Sequence, residues 1–167
     1  VGVDVAGPQN EKFRMEEYVD LFVDAKRHGF GVTMHTGEEG GLSEMQLVVD
    51  KIGPQRIGHG VMASRSPKLM AQLVEQGIAL ELCPTSNLNV GIFKHWDELR
   101  VAYRALAGAG VTLTINTDGP EMHGTTLTAE LQLLQDHRVF SAKELEQIIA
   151  NSFSVSFVKP NGGSVYP

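Results

Sequence analysis

Short apolar runs alternate along the chain with longer amphipathic stretches. The runs are rich in valine, isoleucine, leucine and threonine and are bounded by glycine or proline, which is typical of β-strands. They predict five strands, at residues 1–7, 32–35, 55–60, 78–83 and 111–118. Between the strands, apolar residues recur every three or four positions, which indicates amphipathic helices. Helices are expected at residues 11–28, 43–52, 68–75, 96–109, 126–135 and 141–152.

Local signals indicate where several of these helices begin. Ser66 followed by Pro67 predicts an N-cap with proline at the first helical position. Ser43 is interpreted as the N-cap of the second helix, and Ser141 with Glu144 has the spacing of a capping box. The polar stretch 85–91 is expected to be a loop. The glycine- and proline-rich tail from 159 onward is expected to be loosely held.

Strands separated by helices indicate a parallel α/β fold. Both common parallel architectures place their functional sites at the carboxyl ends of the strands. No strand is followed by Gly-x-Gly-x-x-Gly or by a Walker-type glycine-lysine loop, so the sequence gives no support for a nucleotide-phosphate site. The chemistry is therefore sought in the other residues that follow the strands.

Three strand ends carry residues that can bind a metal ion or transfer a proton. His35 ends the second strand with Glu38 three residues later, His59 ends the third, and Asp118 ends the fifth. An imidazole can bind a metal while a neighbouring carboxyl group passes a proton. An isolated His-x-x-Glu is a weak signal, but here similar residues recur on successive strands. This layout is what a metal-dependent barrel hydrolase needs.

The expected architecture is a TIM-type (β/α) barrel of which about five of the eight strands are present. A complete barrel usually takes about 250 residues, and this chain has 167. We predict that residues 1–167 are the carboxyl-terminal part of a single barrel domain.

Other polar residues near the strand ends receive lesser roles. Ser86 and Asn87 follow the fourth strand and are expected to orient His59 or Glu38. Cys83 is interpreted as a small buried apolar residue rather than a nucleophile. His123, after the last strand, is a further candidate for lining the pocket.

Composition narrows the class of partner. The formal charge of −6 and the lack of a basic stripe argue against nucleic acid, and no apolar run is long enough to cross a bilayer. The single cysteine excludes an internal disulfide and favours a reducing, cytoplasmic setting. The sequence opens inside a strand without a methionine, so it reads as a piece of something longer, and a signal peptide could precede it.

Five short motifs occur one after another along the chain. They are VDVAG at 3–7, HTGE at 35–38, RIGHG at 56–60, CPTSN at 83–87 and NTDGP at 116–120. Each motif is weak by itself. Together, in this order and over most of the chain, they make it resemble the adenosine/adenine deaminase family of zinc hydrolases.

The resemblance implies a role for each matching position. His35 and Asp118 would be zinc ligands, and Asp118 would also hold the attacking water. Glu38 would donate a proton to purine N1, and His59 would orient or deprotonate the water. The implied reaction is hydrolytic deamination of a 6-aminopurine base or nucleoside, with one zinc ion per complete site.

Two glycines complete the implied site. Gly7 matches the position whose backbone N–H meets purine N3. Gly119 stands where the family usually has a second aspartate that contacts purine N7. The missing carboxylate leaves the identity of the base or nucleoside open.

A second departure keeps other functions open. The family also binds zinc through a His-x-His pair, and this sequence contains none. Because catalytic zinc usually takes three or more protein ligands, the chain alone is not expected to hold zinc tightly. One alternative is a non-catalytic half-barrel that pairs with itself or with the missing barrel half. Another is a metal-dependent amidohydrolase with a different substrate.

Overall fold

The computed structural model describes residues 1–6, 14–38 and 41–158. Its centre is a sheet of five parallel strands that lie side by side in sequence order. The strands are β1 Gly2–Val3, β2 Gly31–Thr36, β3 Arg56–His59, β4 Ala79–Leu82 and β5 Leu113–Ile115. The parallel five-stranded arrangement predicted from the sequence is thus confirmed, although β1 and β5 are shorter than expected.

Helices connect the strands, as parallel pairing requires. They are α1 Val19–Arg27, α2 Leu42–Leu47, α3 Pro67–Gln76, α4 Pro84–Asn89, α5 Trp96–Gly108, α6 Pro120–His123, α7 Leu127–Asp136 and α8 Ala142–Ser154. Single 3-10 turns lie at Met15–Tyr18 and Val61–Arg65, and a π-helical turn extends α2 over Val48–Ile52. Across the described ranges, no helix combines the length and apolarity that a membrane span requires.

Two predicted helix starts are confirmed by their capping hydrogen bonds. Ser66 Oγ accepts from the backbone N–H of Leu69 at 3.2 Å, and Pro67 occupies the first position of α3. At α8, the Ser141 side chain accepts from the Glu144 N–H while the Glu144 carboxylate accepts from the Ser141 N–H. These motifs are local in sequence, so the sequence alone identifies them.

Three local predictions are wrong. Ser43 lies inside α2, because the extended backbone of Gly41 already begins the helix one residue before Leu42. The described part of the predicted 11–28 helix opens with a 3-10 turn, and its α-helical part starts only at Val19. The predicted loop at 85–91 contains α4, which Pro84 opens as its first residue because its fixed φ suits that position.

Alternation along the strands separates an apolar face from a polar one. Val32, Met34, Ile57, Leu80 and Leu113 are buried in the main core. The opposite face carries the ion pair of Arg56 with Glu81 at 2.8 Å, and Thr33 Oγ1 donates to the same carboxylate at 2.7 Å. The carboxyl ends of this polar face meet the residues of the candidate site.

Candidate active site

Three side chains converge at the carboxyl ends of the strands. One ligand-capable atom each from His35, His59 and Asp118 lie within 4.8 Å of one another. His35 belongs to β2, His59 ends β3, and Asp118 follows β5. Parallel strands bring their carboxyl ends to one edge, which is why residues far apart in sequence meet here.

His35 lies directly over a glycine. In the β2–β3 register His35 is paired with Gly58, and a Cβ added there would lie 2.8 Å from His35 Cδ2. Asp4 lies 3.2 Å from His35 Nδ1, and this hydrogen bond is the main cause of the raised pKa of His35. Because Asp4 occupies Nδ1, Nε2 is the nitrogen left to bind a ligand.

His59 is buried, with only 2% of its side chain exposed. Its Nε2 lies 3.6 Å from Glu38 Oε2, and its ring centroid lies 5.5 Å from that of His35. Burial lowers the pKa of His59 to about 4, so the imidazole is neutral at pH 7. A neutral imidazole beside a carboxyl group can accept a proton and pass it on.

Asp118 is held from one side. Ser86 Oγ donates to Asp118 Oδ2 at 2.8 Å, and His123 Nε2 lies 3.6 Å from the same oxygen. His123 is in turn 3.3 Å from the Asn89 amide through its Nδ1. Since both neighbours contact Oδ2, Oδ1 remains for a ligand in the pocket.

The backbone at two of these positions is in the left-handed region. His59 has φ of 60° and Asp118 has φ of 59°. Residues with a Cβ rarely adopt this conformation, and such strain collects at functional sites. It places each side chain at the end of its strand, where an extended backbone would direct it elsewhere.

The short helix α4 supplies the polar support. Besides Ser86, its Asn87 side chain lies 3.1 Å from His59 Nδ1 and donates to Glu38 Oε1 at 3.5 Å. Tyr103 on α5, whose side chain is fully buried, donates to Asn87 Oδ1 at 3.2 Å. The structure thus places Ser86 and Asn87 against site residues. Asp4 lies in the 3–7 motif at the end of the first predicted strand, whereas no sequence signal identifies Tyr103 or Asn89 as a site residue.

A cavity of about 560 Å³ opens beside the cluster. His35, Glu81, Cys83 and Asp118 line part of it. Burial raises the pKa of the Cys83 thiol, so it stays protonated at neutral pH and is a poor nucleophile, in line with its interpretation as a buried apolar residue.

Of the two glycines assigned to substrate binding, the structure describes only Gly119. At Gly119, a Cβ would lie 2.9 Å from Met122 Cε, so the Met122 side chain fills the space that a larger residue would need. Gly7 lies outside the described residues. The roles of both remain predictions.

The donor set fits a zinc-type metal ion. Two imidazoles and one carboxylate supply the nitrogen and oxygen atoms that zinc prefers. The support behind them also fits, because Asp4 and Ser86 each hydrogen-bond one polar atom of a candidate ligand and leave the other atom for the ion. The residues present are therefore suited to hold such an ion.

Comparisons with known proteins agree with this geometry. The family model described as adenosine deaminase matches residues 1–163. An adenine deaminase of Mesorhizobium japonicum is 35% identical over 157 residues, which are 94% of this chain and 48% of that protein. An adenosine deaminase of Shewanella denitrificans is 33% identical over 158 residues, 95% of this chain and 47% of that protein. The chain thus spans about half the length of these curated relatives.

Solved structures share the fold. An adenine deaminase of Arthrobacter aurescens has a TM-score of 0.85 at 23% identity, over 96% of this chain and 48% of that one. An amidohydrolase of Burkhoderia ambifaria with bound zinc has a TM-score of 0.83 at 25% identity, over 96% and 44%. The expected fold, an open five-stranded portion of a (β/α) barrel, is confirmed, and the chain belongs to the adenosine deaminase family.

Proposed function

We propose that this chain forms half of the active site of a zinc-dependent hydrolase that deaminates a 6-aminopurine base or nucleoside. The observation that carries the proposal is the convergence of His35, His59 and Asp118 within 4.8 Å, with Glu38 beside them. Adenine and adenosine deaminases among the relatives support this substrate class. The activity belongs to a protein in which this chain is part of a complete barrel.

His35 and Asp118 are the proposed metal ligands of this half. We assign His35 Nε2 and Asp118 Oδ1 to the metal, because His35 Nδ1 and Asp118 Oδ2 already have Asp4 and Ser86 as hydrogen-bond partners. When bound, a zinc ion would acidify water and so supply the nucleophile at neutral pH. Further ligands, such as the His-x-His that the family resemblance implies, would come from outside this chain.

Glu38 and His59 are the proposed proton-transfer groups. Glu38 donates a proton to purine N1, which makes C6 electrophilic while the oxygen of water adds there. His59 takes a proton from the water, and the C6–N bond breaks to release ammonia. One water proton ends on the ammonia, and the other replaces the proton that Glu38 gave to N1. The 3.6 Å between His59 Nε2 and Glu38 Oε2 supports the proposal that both groups act on the same substrate.

The purine would be oriented by backbone at two glycines. We assign purine N3 to the N–H of Gly7. We place Gly119 near purine N7, where the absent carboxylate leaves the choice between base and nucleoside open.

The test is ammonia release from adenine and adenosine by a zinc-loaded protein that contains this chain in a complete barrel. Glu38→Gln keeps the size of the side chain but cannot donate the proton, so the rate should fall by about 10²- to 10⁴-fold while zinc content is unchanged. Glu75→Gln, an exposed change on α3, is the matched control.

Two outcomes would contradict the proposal. A complete protein that deaminates no 6-aminopurine would refute the reaction. Full activity of the Glu38→Gln variant would refute the role of Glu38 as proton donor.

A second proposal concerns the two open edges of the sheet. Within the described ranges β1 pairs only with β2, and β5 pairs only with β4. Unpaired strand edges expose N–H and C=O groups that can pair with another strand. We propose that the missing barrel half, or a second copy of this chain, pairs with these edges.

A further inference from the structure

One short helix contacts most of the candidate site. From α4, Ser86 bonds Asp118, Asn87 lies against His59, and Asn89 lies against His123, which in turn contacts Asp118. A shift of α4 would therefore move several site residues together. The geometry of the site therefore depends on the group that holds α4 in place.

Glu130 on α7 holds the beginning of α4. Its Oε2 accepts from the backbone N–H of Thr85 at 3.1 Å, across 45 residues of sequence. The first N–H groups of a helix have no partner within the helix, so an outside acceptor is needed when they are buried. Glu130 is fully buried, with 0% of the residue exposed.

Stability alone does not explain why a carboxylate is buried at position 130. Among the described residues, Glu130 Oε1 has no hydrogen-bond partner, and the nearby residue Thr85 likewise has a buried hydroxyl without one. A buried carboxyl group that is only half satisfied is costly, and an apolar residue of similar volume is often better for a core. The cost points to a role in placing α4.

We propose that Glu130 is a positioning residue that fixes α4 and, through it, the side chains of Asp118 and His59. The effect of Glu130 on catalysis rests on the proposed deaminase function, whereas its effect on the position of α4 does not. The neighbouring contact from Tyr103 to Asn87 supports the far side of the same helix. Glu130 therefore acts on the site without touching it.

The test compares three variants of this chain, each within a complete barrel. Glu130→Leu removes the acceptor at similar size, and Glu130→Gln keeps one oxygen that can accept from the Thr85 N–H. Leu134→Ala is the matched control. Leu134 is fully buried in the same helix, and its truncation opens a cavity in the core instead of removing the hydrogen-bond acceptor. Hydrogen exchange of the Thr85, Asn87 and Val90 amides and the affinity for zinc ion are measured for each.

The expected pattern separates positioning from folding. Glu130→Leu should speed exchange at these three amides by about tenfold, the effect of losing one buried hydrogen bond, and should weaken zinc binding several-fold. Glu130→Gln should restore both values. Leu134→Ala should lower the melting temperature yet leave zinc affinity of the folded chain and the relative exchange of these amides unchanged.

Two results would overturn the proposal. One is Glu130→Leu with unchanged exchange in α4, and the other is Leu134→Ala with the same local changes as Glu130→Leu. If a complete barrel that contains the wild-type chain binds no zinc while the exchange pattern holds, the metal part of the proposed function fails and the placement of α4 by Glu130 stands.

Discussion

At the scale of single residues, the site depends on a close approach that only glycine permits. The His35 ring occupies the space where a side chain at position 58 would lie, with Cδ2 2.8 Å from an added Cβ. The glycine of the Arg56–His59 strand is therefore part of the candidate site although it offers no ligand atom. This packing gives a physical reason why the 35–38 and 56–60 motifs occur together.

Zinc titration of a complete barrel that contains this chain tests the proposed ligands. His35→Ala and Asp118→Ala each remove one donor, so zinc affinity should fall by more than the 10- to 100-fold typical of losing an outer support. His28→Ala is the matched control, since 68% of its side chain is exposed and it follows the last residue of α1. Equal zinc affinity in wild type and both ligand variants would show that these residues do not bind the ion.

The sequence predicts the site residues at the strand ends better than the side chains that hydrogen-bond to them. His35, His59 and Asp118 follow recognisable strands, so topology alone brings them to one edge. Asp4 and Tyr103 lie 31 and 16 residues from the side chains they contact. The contact of Asp4 depends on the pairing of β1 with β2, and that of Tyr103 depends on the packing of α5 against α4. No local pattern encodes either partner.

At the scale of elements, local chemistry determines what can be foreseen. The helix starts at Ser66 and Ser141 involve residues three apart, so the sequence contains the whole motif. The sequence does not predict α4, because its six residues are mostly polar, with Leu88 the one large apolar side chain, and have no amphipathic period. Its stability comes from tertiary partners such as Glu130 rather than from its own sequence.

The α8 capping box should make stability depend on pH. Hydrogen bonds from the Ser141 backbone N–H and from Arg104 lower the pKa of Glu144 from its usual 4.5 to about 2. A lowered folded-state pKa stabilises the fold while the group is ionised. The contribution of Glu144 is therefore complete above about pH 4.5 and lost as pH falls through about 2.

Chemical unfolding of wild type and Glu144→Gln across this range measures the contribution. The difference in unfolding free energy should be about 1 kcal/mol near neutral pH, the typical worth of a helix cap, and should vanish toward pH 2. It should not be larger, because 40% of the Glu144 side chain is exposed and solvent screens the ion pair. Glu146→Gln on the same helix is the control, and a difference independent of pH would contradict the assignment.

At the scale of the whole molecule, the open sheet should govern association. Because β1 and β5 each have one paired side among the described residues, we expect this chain to form dimers or larger species as its concentration rises. Light scattering over a dilution series measures the mass. A monodisperse monomer at every concentration would contradict the proposed pairing of the edges.

The order of the sheet was predictable, but its completion was not. Alternating strands and helices lead to parallel neighbours in sequence order, because crossover connections of this length favour adjacent pairing. Whether the edges meet another strand depends on residues beyond the five strands of this chain. No pattern within those strands encodes that partner.

The left-handed backbone of His59 and Asp118 sets a conflict for laboratory evolution. Glycine adopts this conformation without strain, so selection for heat resistance alone should favour glycine at position 118, where the side chain is about one-third exposed and little packing would be lost. The same exchange at 59 would empty a buried space and gain less. A library screened only for thermal stability would thus favour a more stable protein that has lost a proposed metal ligand, so activity must be selected together with stability.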